Sequence, residues 1–372
     1  MGIRASELAA AKSPSAGSRV ASPAAKTAAL LVAALLLAGC DSAAWYLQAA
    51  RGHLEIVGAR QDLRQLLRNP DLPPELTARL EVVLDAREFA ETELGLPAGG
   101  NYLDYVELDR RYAVWNVFAA PEFSLEPVTW CYPIAGCAAY RGYFNEAAAV
   151  EYAAGLRAEG LDTYVGGVAA YSTLGWFDDA VLSTVLNRPD HQLAALIFHE
   201  LAHQVAYIPG DTTLNESFAT VVEMEGLRRW LETRRQSALV EEALADAKRR
   251  RQFVEFVTAY RERFAELYRR DLSAAEMRRE KSALQARMRG DYGSLKARWD
   301  GYAGYDGWFS GALNNAQLST VGSYNDLAPQ LRELLRIHGN DLPAFYEKVR
   351  QLGRMRPERR AEFLQSLGRP SR

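Results

Sequence analysis

The stretch DHQLAALIFHELAHQVAYIPGDTTLNESFATVVEME, residues 190–225, decides the fold. Leu193, Leu196, Ile197, Leu201 and Val205 recur at helical spacing. They predict a helix that Asp190 can cap and that Ile208-Pro209-Gly210-Asp211 ends. Thr213 or Asn215 opens a second helix, with Phe218, Val221 and Val222 on its apolar side. Residues four apart share a helix face, so His199 and His203 present both imidazoles in one direction. Glu216 stands at the start of the second helix, after a turn short enough for the chain to double back over the first.

Two imidazoles and a carboxylate suit Zn²⁺, which takes such ligands at about 2.0–2.2 Å. His199, His203 and Glu216 are therefore the expected ligands, and one position on the ion is left open. Glu200 is offset from the ligand face and suits a general base acting on water, as expected for H-E-x-x-H on a helix. Glu223, one heptad after Glu216, either orients a ligating histidine or is itself the third ligand; Glu225 is less well placed. A purely structural helix would leave two His and two Glu converging in an apolar stripe, where unpaired charge is costly. Of the five histidines in the chain, two fall in this motif. His191 reads as a surface or capping group, and His53 and His338 as structural. Tyr302, Tyr305 and Tyr324 are candidates for stabilising an oxyanion, with Tyr305 and Tyr324 preferred.

Upstream, residues 44–67 read as one helix through Leu47, Leu54, Val57, Leu63 and Leu67, and residues 75–94 as a second. Residues 112–119 are aromatic and β-branched, which predicts a strand, and Pro121, Pro127 and Pro133 divide the next stretch into short extended pieces. A helix over 144–159 precedes a strand over 163–174, where Gly166-Gly167 marks a bulge or a close backbone approach. That strand either pairs with a substrate backbone or belongs to the core. Asp178 or Asp179 can cap a helix running to Asn187. Downstream, Phe253, Phe256, Val257, Tyr260, Phe264, Leu267 and Tyr268 form one apolar face of a long charged helical region, 227–289, with a turn at Asp271–Met277. Residues 292–309 read as loop or short strand, followed by short helices at 312–317, 327–335, 342–352 and 357–367.

The 372 residues carry a net charge of −3, which excludes an electrostatic case for nucleic acid as partner. The first 39 residues differ from the rest. Arg4, Lys12, Arg19 and Lys26 precede the apolar run Thr27–Leu37, which is too short for a permanent span of ~20 residues. The LAGC after it resembles a lipoprotein lipobox, which implies cleavage before Cys40, lipidation of its thiol and attachment to a membrane facing the periplasm. A plain signal peptide or an anchor helix are the alternatives. Asp41 resembles the residue that retains lipoproteins in an inner membrane. The remaining pair, Cys131 and Cys137, is expected to form a disulfide in an oxidising compartment; two free thiols or half of a metal site are the other possibilities.

HELAHQ, NESFATVVE, WCYPIAGC followed by YRGYF, AYSTLGWFDD and LNNAQL together resemble a bacterial family of predicted zinc aminopeptidases, often made as lipoproteins. More distantly, the chain is similar to the gluzincins, whose third ligand lies in an N-E-x-x-A helix; that maps onto Glu216. The resemblance implies a mainly α fold with a small β-sheet (α+β), built as a zincin-like metallopeptidase. It implies a signal peptide over 1–39 and one domain over 40–372, divided into 40–187, 188–226 and 227–372. It further implies a zinc-dependent peptidase acting on peptides, with aminopeptidase action carried by the family name alone. The rivals are a non-catalytic envelope lipoprotein with a structural metal site, and a zinc amidase acting on peptidoglycan stem peptides. Oligomeric state is not legible from the sequence.

Overall fold

The computed structural model describes residues 44–132, 136–170, 178–321 and 327–367. Cys40, Asp41, Tyr324 and the strand segment 171–177 lie outside the described residues. The chain divides into two units, residues 1–50 and 51–372. In the first, residues 44–50 are helical. The second is mainly helical with small sheets, an α+β arrangement. Among the described residues no helix is long and apolar enough to cross a membrane.

The second unit opens with helix α1 (51–58). The single helix expected to residue 67 is interrupted after Gly58: β1 (Gln61–Asp62) pairs antiparallel with β2 (Asp104–Val106), and α2 (Leu63–Leu66) follows, capped by Asp62. The expected stripe is also wrong there, since Leu54 is 66% exposed while Ile56 is buried. Helix α3 (Pro74–Thr92) starts on a proline, where the missing N–H costs nothing. Strand β3 (Val114–Pro121) is central in a three-stranded antiparallel sheet between β6 (Arg141–Tyr143) and β7 (Leu161–Val168). The β3–β7 register runs unbroken through Gly166 and Gly167, so there is no bulge. Gly167 is the close approach instead: a Cβ there would sit 2.1 Å from the Tyr112 ring. Helix α4 (Glu146–Ala158) connects β6 to β7 and is capped by Asn145.

A two-stranded hairpin, β4 (Trp130–Tyr132) and β5 (Gly136–Ala138), places Cys131 opposite Cys137, and a disulfide joins them. The helix expected from Asp178 to Asn187 is absent. Asp179 instead accepts at its carbonyl from the Tyr102 N–H and donates its own N–H to Asn101. Those bonds pull the segment into β8 (Val181–Leu182), parallel to β2, followed by a 3₁₀ turn, Ser183–Val185.

Helices α5 (Asp190–Val205) and α6 (Thr212–Thr233) form the centre of the main core, with α3, α11 (Ala328–Ile337), α12 (Leu342–Arg354) and α13 (Pro357–Leu367) contributing around them. Helix α7 (Ala238–Tyr268) and α8 (Ala274–Ala297) pack on each other through a second core of Phe253, Val257, Tyr260, Phe264, Met288 and Tyr292. Ser273 and Glu276 make a reciprocal capping box at the start of α8. The stretch expected as loop or strand from residue 292 is the end of α8 followed by the short α9 (Asp306–Phe309). α10 (Asn315–Ser319) belongs to the LNNAQL motif. Its Asn315 is fully buried and donates to the carbonyls of Pro121 and Glu122, fastening α10 to the end of β3.

Candidate functional site

On α5 nine of the sixteen side chains are buried. Beyond the exposed first residue Asp190, the others, Gln192, Leu196, His199, Glu200, His203 and Gln204, recur three or four apart and form one stripe. On α6 a matching stripe runs through Glu216, Thr220 and Glu223. The two helices are held in close approach by Gly226, where a Cβ would meet Leu94 at 2.6 Å and the Phe198 ring at 3.1 Å.

The turn between the helices has its own lock. Asn215 is buried, accepts from the Ile208 N–H at 2.8 Å and donates to the Ile208 carbonyl at 2.9 Å. The expected caps move slightly as a result. Asp211, not Thr213 or Asn215, caps α6 by accepting from the Leu214 N–H. At the other end, Pro189 occupies the cap position of α5, and Asp190 is its first residue and pairs with Arg79.

Three ligand atoms, one each from His199, His203 and Glu216, lie within 4.8 Å of one another. Glu216 stands 3.4 Å from His199 Nε2 and 3.7 Å from His203 Nε2. Atoms bound to one tetrahedral ion at 2.0–2.2 Å stand about 3.4 Å apart, so the donor set fits a zinc-sized ion with little adjustment. Glu223 faces His199 Nδ1 at 2.9 Å, which leaves Nε2 for the cluster. Glu223 thus lies behind the His199 ring, on the side away from the cluster. His203 Nδ1 is buried without a partner among the described residues. Glu225 is turned away and held by Arg228 and Arg229.

Burial alone would lower His199, but its contacts with Glu216 and Glu223 outweigh that and push it up to about 9. Burial and the neighbouring His199 lower His203. The bond from His199 lowers Glu216. Burial raises Glu200, and the charges of Asp179, Glu216 and Glu223 add to it.

Two cavities meet at Glu200. The larger, about 360 Å³, is lined by Arg188, His191, His199, Glu223, Arg250 and Tyr305, with Tyr302 and Asp246 also on its wall. The smaller, about 260 Å³, is mostly apolar, with Val83, Val168, Leu193, Leu196 and Ile197 on its walls and Tyr102 and Asp179 near Glu200. The end of β7, an edge strand of its sheet, reaches this second cavity through Val168. Tyr305 stacks on Phe253 at 4.2 Å, and burial pushes its hydroxyl up to about 12, so it is protonated at neutral pH. Arg249 lies over the ring of Tyr302.

Several residues at the site escape the sequence pattern. His191 is 5% exposed and lines the larger cavity, so it is neither a surface group nor a cap. It lies eight residues before His199, on the same helix face, and that spacing is a signal available in the sequence. Tyr102 adopts a left-handed backbone, φ 59°, and burial together with Glu200 raises its hydroxyl. No local pattern announces it, because its position depends on the pairing with Asp179. His338 caps its own helix end, its ring nitrogen 2.8 Å from the Leu334 carbonyl.

The family described as "Putative aminopeptidase" matches residues 44–364. No curated protein matches the chain, and no solved structure does.

Proposed function

The chain belongs to this putative aminopeptidase family, and on that premise we propose that it is a zinc-dependent peptidase of the zincin type. The observation that carries the reading is the convergence of His199, His203 and Glu216 at spacings that suit one tetrahedral ion, with Glu200 on the same helix beside two cavities. In this reading those three side chains hold Zn²⁺, which when bound supplies Lewis acidity toward a carbonyl oxygen and acidifies water. Glu223 fixes the His199 ring and its tautomer from behind. Glu200 accepts the proton of the attacking water and returns it to the leaving amine. Its raised proton affinity moves it toward neutrality, where a base of this kind works best. The neutral hydroxyl of Tyr305 is a donor on the cavity wall for the developing oxyanion.

A purely structural zinc site is closed by a fourth protein ligand. The cluster borders a cavity through His199, which favours the catalytic reading over the structural one. Removal of N-terminal residues from peptides rests on the family description. Attachment to an envelope membrane through lipidated Cys40, with 40–372 as the mature peptidase, rests on the N-terminal sequence.

The test is Glu200→Gln. It is expected to retain one zinc per chain by metal analysis and to lower kcat for peptide hydrolysis by about 10²–10⁴-fold. A variant as active as the wild type would sink the mechanism.

A further inference from the structure

We propose that the larger cavity beside Glu200 recognises a carboxylate of a short peptide, gripped by Arg188, Arg250 and His191. The proposal rests on the peptidase reading and narrows its substrate class.

Arg188 comes from the turn before α5 and Arg250 from α7, so the two guanidinium groups approach from different elements. Among the described residues neither guanidinium has a hydrogen-bond or ion-pair partner, although both line a concave site. The neighbouring Arg249 is different: it is ion-paired with Asp246 and stacked on Tyr302. The carboxylates of the cavity are already occupied. Asp246 takes Arg249 and, at 3.5 Å, Gln192; Glu223 takes His199 at 2.9 Å. Only Glu200 remains, and it stands where the two cavities meet. Arg250 shares the cavity wall with His199, Glu200 and Tyr305.

His191 supplies the independent observation. It is 5% exposed, and its Nε2 has no partner among the described residues. A buried ring nitrogen left without a partner is costly and calls for an explanation. A bound carboxylate oxygen, accepting from the imidazole N–H, is one that also engages both arginines. Guanidinium groups bind carboxylates through paired, charge-assisted hydrogen bonds. The cavity volume of about 360 Å³ lies at the small end of ligand sites, which suits a short peptide rather than a protein chain. The apolar cavity on the far side of Glu200 takes a hydrophobic side chain. The favoured substrate therefore has an apolar residue on one side of the scissile bond and a carboxylate on the other. That carboxylate is either the peptide's C-terminus or an Asp or Glu side chain.

The test uses calorimetry on the full chain carrying Glu200→Gln, so that binding is read without turnover. Three tripeptides with an apolar first residue are compared: one with a free C-terminus, the same peptide amidated, and an amidated peptide with Asp at its last position. The free peptide is expected to bind about 10–100-fold more tightly than its amide. An Asp amide that regains the free peptide's affinity shows that either carboxylate is accepted, no gain in it assigns recognition to the C-terminus, and a gain in it alone assigns recognition to the side chain. Adding Arg188→Gln and Arg250→Gln is expected to abolish the preference and leave affinity for the amide unchanged; general disruption would weaken both. Equal affinity for all three peptides, no binding of any, or a preference that survives the double substitution overturns the proposal. Turnover by the wild type separates the two readings. Hydrolysis without a carboxylate preference removes this inference alone, and a preference without hydrolysis removes the peptidase reading alone.

Discussion

The pair α5–α6 and the pair α7–α8 are built on opposite plans. In α7–α8 the apolar stripe of Phe253, Val257, Tyr260 and Phe264 faces inward, and Arg, Lys and Glu cover the outside. In α5–α6 the faces packed on each other and on the core are apolar, and part of the polar stripe, Gln192, His199, Glu200 and Glu223, lines a cavity. The first arrangement is what burial of an amphipathic helix produces without any further requirement. The second places titratable groups where desolvation opposes their charge, which stability alone does not select. Polar residues set against the grain of their surroundings therefore mark the site more reliably than polarity itself.

Breaking the ordinary pair should cost stability and nothing else. Phe264 is fully buried, and Phe264→Ala is expected to destabilise by about 3–5 kcal/mol in urea titration. Metal affinity per folded molecule should stay unchanged, because α7 meets the site only near its N-terminal half, through Ala243, Asp246, Ala247 and Arg250. Loss of metal binding in that variant would show that the two pairs are not independent.

The unusual pair should respond to protons and to its orienting carboxylate. With His199 raised to about 9, the metal-free protein gains stability from its contacts with Glu216 and Glu223. That gain is fully present below 6.5, the ordinary histidine value, and is lost as pH rises through about 9. A metal must displace the same proton, so zinc affinity should increase with pH over that window, with proton release visible when calorimetry is repeated in buffers of different ionisation enthalpy. Glu223→Gln is expected to weaken zinc binding about 10–100-fold. Proton release in that variant should also diminish, and an unaltered pH dependence would detach Glu223 from His199. At the small end, Glu262 on the exposed face of α7 is expected to tolerate Glu262→Ala within about 0.5 kcal/mol.

Legibility in the sequence followed how local the determining contacts are. The α5 stripe and the limits of α13 are patterns of near neighbours, and both are readable residue by residue. The convergence of His199, His203 and Glu216 needed one further fact, a short turn, and that too is local. Asp178–Asn187 has every local mark of a helix, yet its backbone is claimed by Asn101 and Tyr102, nearly eighty residues earlier. The interruption of the first helix has the same origin, since Gln61 and Asp62 are drawn to Tyr105 and Asp104. His191 lay in the right place on the right face but was masked by its position at the helix start, where polar residues ordinarily meet water. Arg188 and Arg250 carry no pattern of their own; only the shape of the cavity brings them together.

The amide of Asn215 has a consequence for how any ion would be received. By gripping both the N–H and the carbonyl of Ile208, it sets the hinge between the two helices through covalent chain and hydrogen bonds alone. On the zinc reading, the three ligating side chains are thus placed in advance, and loading would be a matter of desolvating the ion rather than gathering a disordered chain around it. Chelation should accordingly silence such a centre without melting it, and metals of different size should compete for a frame that does not reshape itself to suit them.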